Sequence, residues 1–220
     1  LSHRSRRAAA RAAQGDALCG GRCQPAVDRR GGVVGGVVAL NPGGFWRGWE
    51  RHAFFSSIYL SIRLLRLLRP VLPAVCANPL GRALLLAQFS ARPTRLAPAT
   101  VSDELCSYVA SPAFDELLAQ LAYGEEQQGA PRNSIVHPLV IGWGRRDRVC
   151  FPRQAKRALA LFPDAQLHWF DRCGHFPHWD APAETTQLIL SALAGKRVNA
   201  GVGLDYPEQS SILQLPQFTG

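Results

Sequence analysis

The run Pro138-Leu-Val-Ile-Gly-Trp-Gly144 is apolar at successive positions rather than at alternate ones. That is the pattern of a strand buried on both faces of a parallel sheet. Gly-Arg-Arg-Asp147 follows it, and residues 153–161 then read as a helix. A second unit repeats this order: the turn pair Pro163-Asp164, a short apolar and aromatic strand over 165–170, a loop carrying His175, and a helix over about 183–194. Pro182 suits the start of that helix, where a missing N–H leaves no bond unmade. Two consecutive strand-loop-helix units imply a parallel sheet covered by helices, and sites in such sheets form at the carboxyl ends of the strands. Asp147 and His175 occupy those two loops, although a lone loop histidine is as readily a surface residue.

Gly-Trp-Gly-Arg-Arg-Asp147 and Cys-Gly-His175-Phe-Pro-His-Trp-Asp-Ala-Pro182 resemble the acid loop and the histidine loop of the α/β-hydrolase family. The 28 positions from Asp147 to His175 fit one intervening helix and strand. Val-Ala-Leu-Asn-Pro-Gly-Gly-Phe-Trp46 is similar to that family's sixth strand and its exit into a cap. The resemblance covers about residues 33–195 and is strongest over 138–182. It implies an α/β fold class, a partial α/β-hydrolase fold in which a short parallel sheet with flanking helices carries an inserted helical cap. It also implies Asp147 as the acid and His175 as the base of a triad, the base taking the nucleophile's proton while the carboxylate fixes its tautomer. The implied activity is hydrolysis of an ester, thioester or carbon–carbon bond in a small apolar substrate, with no cofactor and no metal.

Such a triad needs a nucleophile on a strand-to-helix turn, usually within Gly-x-Ser-x-Gly, and the 220-residue sequence contains no such motif. Ser2 and Ser5 lie in an Arg-rich stretch with no strand before them. Cys19, in Ala17-Leu-Cys-Gly-Gly21, is the nearest formal match, but Gly20, Gly21 and Pro25 oppose the helix that should supply an oxyanion N–H. The chain starts at Leu1 and has no Met, and an incomplete product of low activity is therefore expected. A noncatalytic protein binding an apolar ligand or a membrane surface is the alternative. Cys173, His175 and His178 with Cys150 form a further possible set, a zinc site, but they lack the paired spacing of structural zinc sites.

Residues 1–32 are Arg/Ala/Gly-rich and expected to be poorly ordered, apart from a short helix over 5–14; 33–46 and 134–195 form the expected core part, 47–133 the cap and 196–220 a tail. The net charge of +9 is concentrated at the start, where residues 1–30 hold seven Arg against Asp16 and Asp28. The remainder is too weakly basic, and too free of groove-reading motifs, for nucleic acid to be an expected partner. Six irregularly spaced cysteines suit a reducing, cytoplasmic setting, and no apolar segment of signal-peptide type follows the basic start.

Residues 53–68 read as a helix with apolar residues on most sides and Arg63, Arg66 and Arg69 as a polar stripe. An arginine near the centre of a membrane span costs about 2.5–3.5 kcal/mol, so a span is not expected. The favoured reading is a helix that packs on its own domain and lines an apolar pocket, ahead of one that docks on a membrane surface. Residues 102–123 complete the cap, and 124–133 form a polar linker. The strand over 33–40 has no charge or proline to protect an edge, so self-association through it is expected.

Overall fold

The computed structural model describes residues 36–135 and 137–194. The expectations for residues 1–32, for the start of the first strand and for the tail lie outside the described residues. Three strands form one parallel sheet in the order β1 (Val37–Leu40), β2 (Leu139–Gly144), β3 (Gln166–Phe170). The register pairs Val37 with Leu139 and Leu40 with Gly142, then Val140 with Gln166 and Gly144 with Phe170.

β2 is buried along its whole length, as its unbroken apolar run requires. Side chains alternate between the faces of a strand, and the packing follows. Leu139, Ile141 and Trp143 join a core with Phe45, Phe54, Leu118, Ala155 and Phe162, whereas Val140 joins Phe170, Cys173, Leu188 and Ala192 on the other face. Helix α6 (Gln154–Leu161) carries the chain from β2 to β3, and α8 (Pro182–Leu193) covers the second face. Of the apolar residues Leu188, Ile189, Leu190 and Leu193 in α8, only Leu188 is buried. Leu190 and Leu193 are exposed, because Thr185, Leu188 and Ala192, spaced three and four apart, form the face turned to the sheet.

Between β1 and β2 the chain is helical: α1 (Trp49–Leu68), α2 (Leu72–Ala77), α3 (Pro79–Leu85), α4 (Pro98–Ala110) and α5 (Phe114–Tyr123), with short 3-10 turns at Arg69–Val71 and Pro93–Arg95. The single helical part expected over 102–123 is two helices. Pro112 follows the C-cap Ser111, and the residue before a proline is driven out of helical conformation. Asn78 caps α3, its side chain accepting from the N–H groups of Leu80 and Gly81. These helices enclose a core of their own, built on Ile62, Leu65, Leu72, Leu86, Val101 and Leu105. In α1 the inward line is Phe54, Ile62 and Leu65, whereas Leu60, Leu64 and Leu67 are exposed rather than packed on the domain.

Candidate active site

Asp147 lies three residues beyond the end of β2 and His175 five residues beyond the end of β3, at the same end of the sheet. Local bonding prolongs the pairing of the two strands past their ends. Arg145 N–H donates to the Phe170 carbonyl, and Arg146 N–H to that of Cys173, both at 3.0 Å. Gly144 is required for this close approach, since a Cβ there would lie 2.2 Å from the Gly174 carbonyl oxygen. Beneath the acid loop the buried Trp143 donates its indole N–H to the Cys150 carbonyl at 3.0 Å.

The Asp147 side chain is fully buried. Its Oδ1 accepts from the N–H groups of Val149 at 2.8 Å and Cys150 at 3.0 Å, which leaves Oδ2 for His175 Nδ1, 3.0 Å away. A carboxylate accepts, so Nδ1 is the donor in this contact. The two residues singled out in the sequence are therefore brought together within hydrogen-bonding distance.

Three further side chains hold this pair in place, and the sequence pattern had assigned none of them a role. Asn41, directly after β1 and in the left-handed region with φ 44°, donates from Nδ2 to the carbonyls of Gly174 at 3.1 Å and His175 at 2.7 Å. Its Oδ1 accepts from Gly144 N–H at 2.7 Å. One amide thus clamps the exits of all three strands. Asp180 accepts from Gly174 N–H at 2.7 Å and Ala91 N–H at 2.8 Å, and also from the Ser90 hydroxyl. It fastens the histidine loop to the loop after α3. Phe89, in that loop, accepts His175 N–H on its carbonyl at 2.7 Å and stacks its ring on Phe176 with centroids 5.7 Å apart. Trp179, from the short helix α7 (Pro177–Asp180), packs against Phe176 in turn, and the Phe176 ring lies 4.9 Å from that of His175.

The zinc set suggested by spacing does not assemble. Among the described residues the group whose donor atoms lie within 4.8 Å of one another is Asp147, Cys150 and His175, without Cys173 or His178. Burial pushes the Cys173 thiol up to about 12, with the nearby Asp180 carboxylate adding to the effect. Burial, then the Asp147 carboxylate, raises the Cys150 thiol well above its ordinary value. A thiol kept protonated in this way is not an activated nucleophile. Burial, then the neighbouring His175, lowers the pKa of His178. Cys19, Ser2 and Ser5 lie outside the described residues.

The model of the alpha/beta hydrolase family matches residues 8–188. The chain belongs to the α/β-hydrolase family. Curated relatives match over a short stretch. A 2-hydroxy-6-oxononadienedioate/2-hydroxy-6-oxononatrienedioate hydrolase from a Pseudomonas species is 39% identical over 61 residues, covering 28% of this chain and 22% of the relative. A 2-hydroxy-6-oxo-6-phenylhexa-2,4-dienoate hydrolase from Burkholderia cepacia is 40% identical over 66 residues, covering 30% and 23%. The chain therefore spans less than a quarter of the length of these relatives. Among solved structures, a membrane phospholipase A described as a bacterial virulence factor aligns with a TM-score of 0.50 at 23% identity, over 77% of this chain and 52% of the other. That likeness is one of fold.

Proposed function

We propose that this α/β-hydrolase carries the acid and base of a hydrolytic relay, Asp147 and His175, for small apolar substrates with a scissile ester, thioester or carbon–carbon bond. The observation that carries the reading is the 3.0 Å contact of Asp147 Oδ2 with His175 Nδ1, with Oδ1 already held by two backbone N–H groups. In that arrangement Nε2 accepts a proton from the attacking group and returns it to the departing oxygen, sulfur or carbon, while the buried carboxylate stabilises the imidazolium between the two steps. The Phe176 ring beside His175, with Phe89 and Trp179 packed on it, favours an apolar substrate. Support for the carbon–carbon bond class comes from the relatives named above, which act on 2-hydroxy-6-oxo dienoates.

The sequence has no Gly-x-Ser-x-Gly, so the acid and base lack the family's usual nucleophile within these 220 residues. Turnover of the chain by itself is accordingly low. This absence also favours a second reading, a noncatalytic protein that holds an apolar ligand between the helices and the histidine loop. Hydrolysis of p-nitrophenyl butyrate by the wild type and by His175→Ala tests the first reading's nucleophile argument, and equal background rates are expected. A rate that depends on His175 would show that a nucleophile has been overlooked, and its loss in Cys19→Ser would locate it. The acid–base pairing is tested separately by nitrogen NMR of labelled histidine. His175 should carry its proton on Nδ1 in the wild type and lose that preference in Asp147→Asn; no change between them would overturn the assigned pair.

A further inference from the structure

Residues 51–102 contain seven arginines and not one Asp or Glu; Arg51 pairs with Glu126 and Arg82 is buried on the Cys76 and Ala77 carbonyls, which leaves five. The same stretch holds Leu60, Leu64, Leu67 and Val71, which are 49–77% exposed. Their spacing of four, three and four residues places them on one line along α1 and the turn after it. Phe54, Ile62 and Leu65 already fill the inward side of α1, so the outward line does not serve the interior. Leu80 and Leu84, one turn apart on α3, are also exposed.

We propose that this face docks on the surface of an anionic lipid bilayer, with α1 lying in the plane of the interface. Among the described residues no helix is long and apolar enough to cross a membrane, and an in-plane helix needs no such length. Its leucines enter the boundary of the acyl chains while arginine side chains extend to headgroup phosphates. Arg63, three residues after Leu60 and four before Leu67, is exposed beside the line, and Arg66 follows on the same flank; Arg69, at the end of α1, and Arg95 are exposed as well. Arg66 donates to Asp115 at 2.8 Å, and Arg63 stands 4.0 Å from the same carboxylate, so these two are partly neutralised. Arg69 and Arg95 have no ion pair among the described residues.

Charge decides which occupant fits. A second copy seated on the same line by a two-fold axis would bring arginines against arginines, and Asp115, the carboxylate beside them, is already engaged by Arg66 and faces Arg63. An anionic bilayer offers apolar depth and counter-charge together.

The test is flotation of the 220-residue chain with vesicles of equal parts phosphatidylcholine and phosphatidylglycerol, in which aggregates sink and bound protein rises. The wild type should float with these vesicles, less at high salt, and much less with phosphatidylcholine alone. Leu64→Glu/Leu67→Glu, which changes exposed positions, should bind at least about tenfold more weakly. Arg63→Gln/Arg66→Gln, at the arginines that flank the leucine line, should lose the preference for the anionic vesicles, which gives a second reading should the leucine variant fail to fold. Failure of the wild type to float overturns the proposal. So does equal flotation of both variants and the wild type, which would assign binding to the arginines of residues 1–30. Dissociation of a lipid-free oligomer by the leucine variant, without wild-type flotation, would make a second copy the occupant and overturn it as well.

Discussion

Asn41 joins segments far apart in sequence through one amide, and the chemistry of each amide end is fixed by what it meets. The NH2 faces two carbonyls of the histidine loop and the oxygen faces the Gly144 N–H. Asn41→Asp keeps the size and the tolerance of positive φ but turns the donor into an acceptor against those two carbonyls. With the site buried, the loss should be about 1–3 kcal/mol, read from urea denaturation. The Nδ1 proton preference of His175 should weaken in the same variant, because its loop is no longer clamped, whereas a defect confined to overall stability would leave that signal unchanged. Sequence pattern could place Asp147 and His175 because each sits in a loop with a recognisable strand before it. Asn41 was hidden by its own context: Asn-Pro-Gly-Gly reads as a turn, and turn preference says nothing about where the side chain bonds. Asp180 was hidden similarly, since its partners Ser90 and Ala91 come from a loop about 90 positions earlier.

Glu50 shows the same limit between elements. It lies in the first turn of α1 and is 4% exposed. Both its oxygens are held by Arg157 of α6, at 2.7 and 2.8 Å, and further bonds come from Arg153 and the Arg47 N–H. Burial by itself would raise its pKa, but the hydrogen bonds from Arg157, Arg47 and Arg153 outweigh it and hold the carboxyl at about 2 against an ordinary 4.5. A folded pKa below the unfolded one means stability that is complete above pH 4.5 and is lost as pH falls toward 2. The urea midpoint of the wild type should therefore fall through that window, and that of Glu50→Gln should fall less. At neutral pH the variant should be less stable by about 3 kcal/mol, because Arg157 keeps its charge without its partner. The longest helix was legible from periodicity, but the break at Pro112 was not, nor which face each helix buries. α1 and α8 both carry apolar residues on more than one side, and only the arrangement of neighbouring elements settles which line turns inward.

At the scale of the molecule, the parallel order β1-β2-β3 followed from apolar runs joined by crossover segments, and the described residues contain that sheet and no other. Among them, β1 has β2 as its partner on one side and no strand on the other. Its apolar Val-Val-Ala-Leu has no charge or proline to discourage a second strand from adding to its free N–H and C=O groups. β2, by contrast, is paired on both sides and closed above and below by side chains. Association through β1 is therefore expected, and it should deepen with concentration in size-exclusion chromatography with light scattering. The outward leucines of α1 make a competing route, and the Leu64→Glu/Leu67→Glu variant separates the two. Pairing at the sheet edge leaves that variant as associated as the wild type, because neither leucine lies near the hydrogen-bonding edge of β1 in sequence or in the sheet. A monodisperse monomer that melts in one cooperative transition would show that the edge of β1 is covered within the chain.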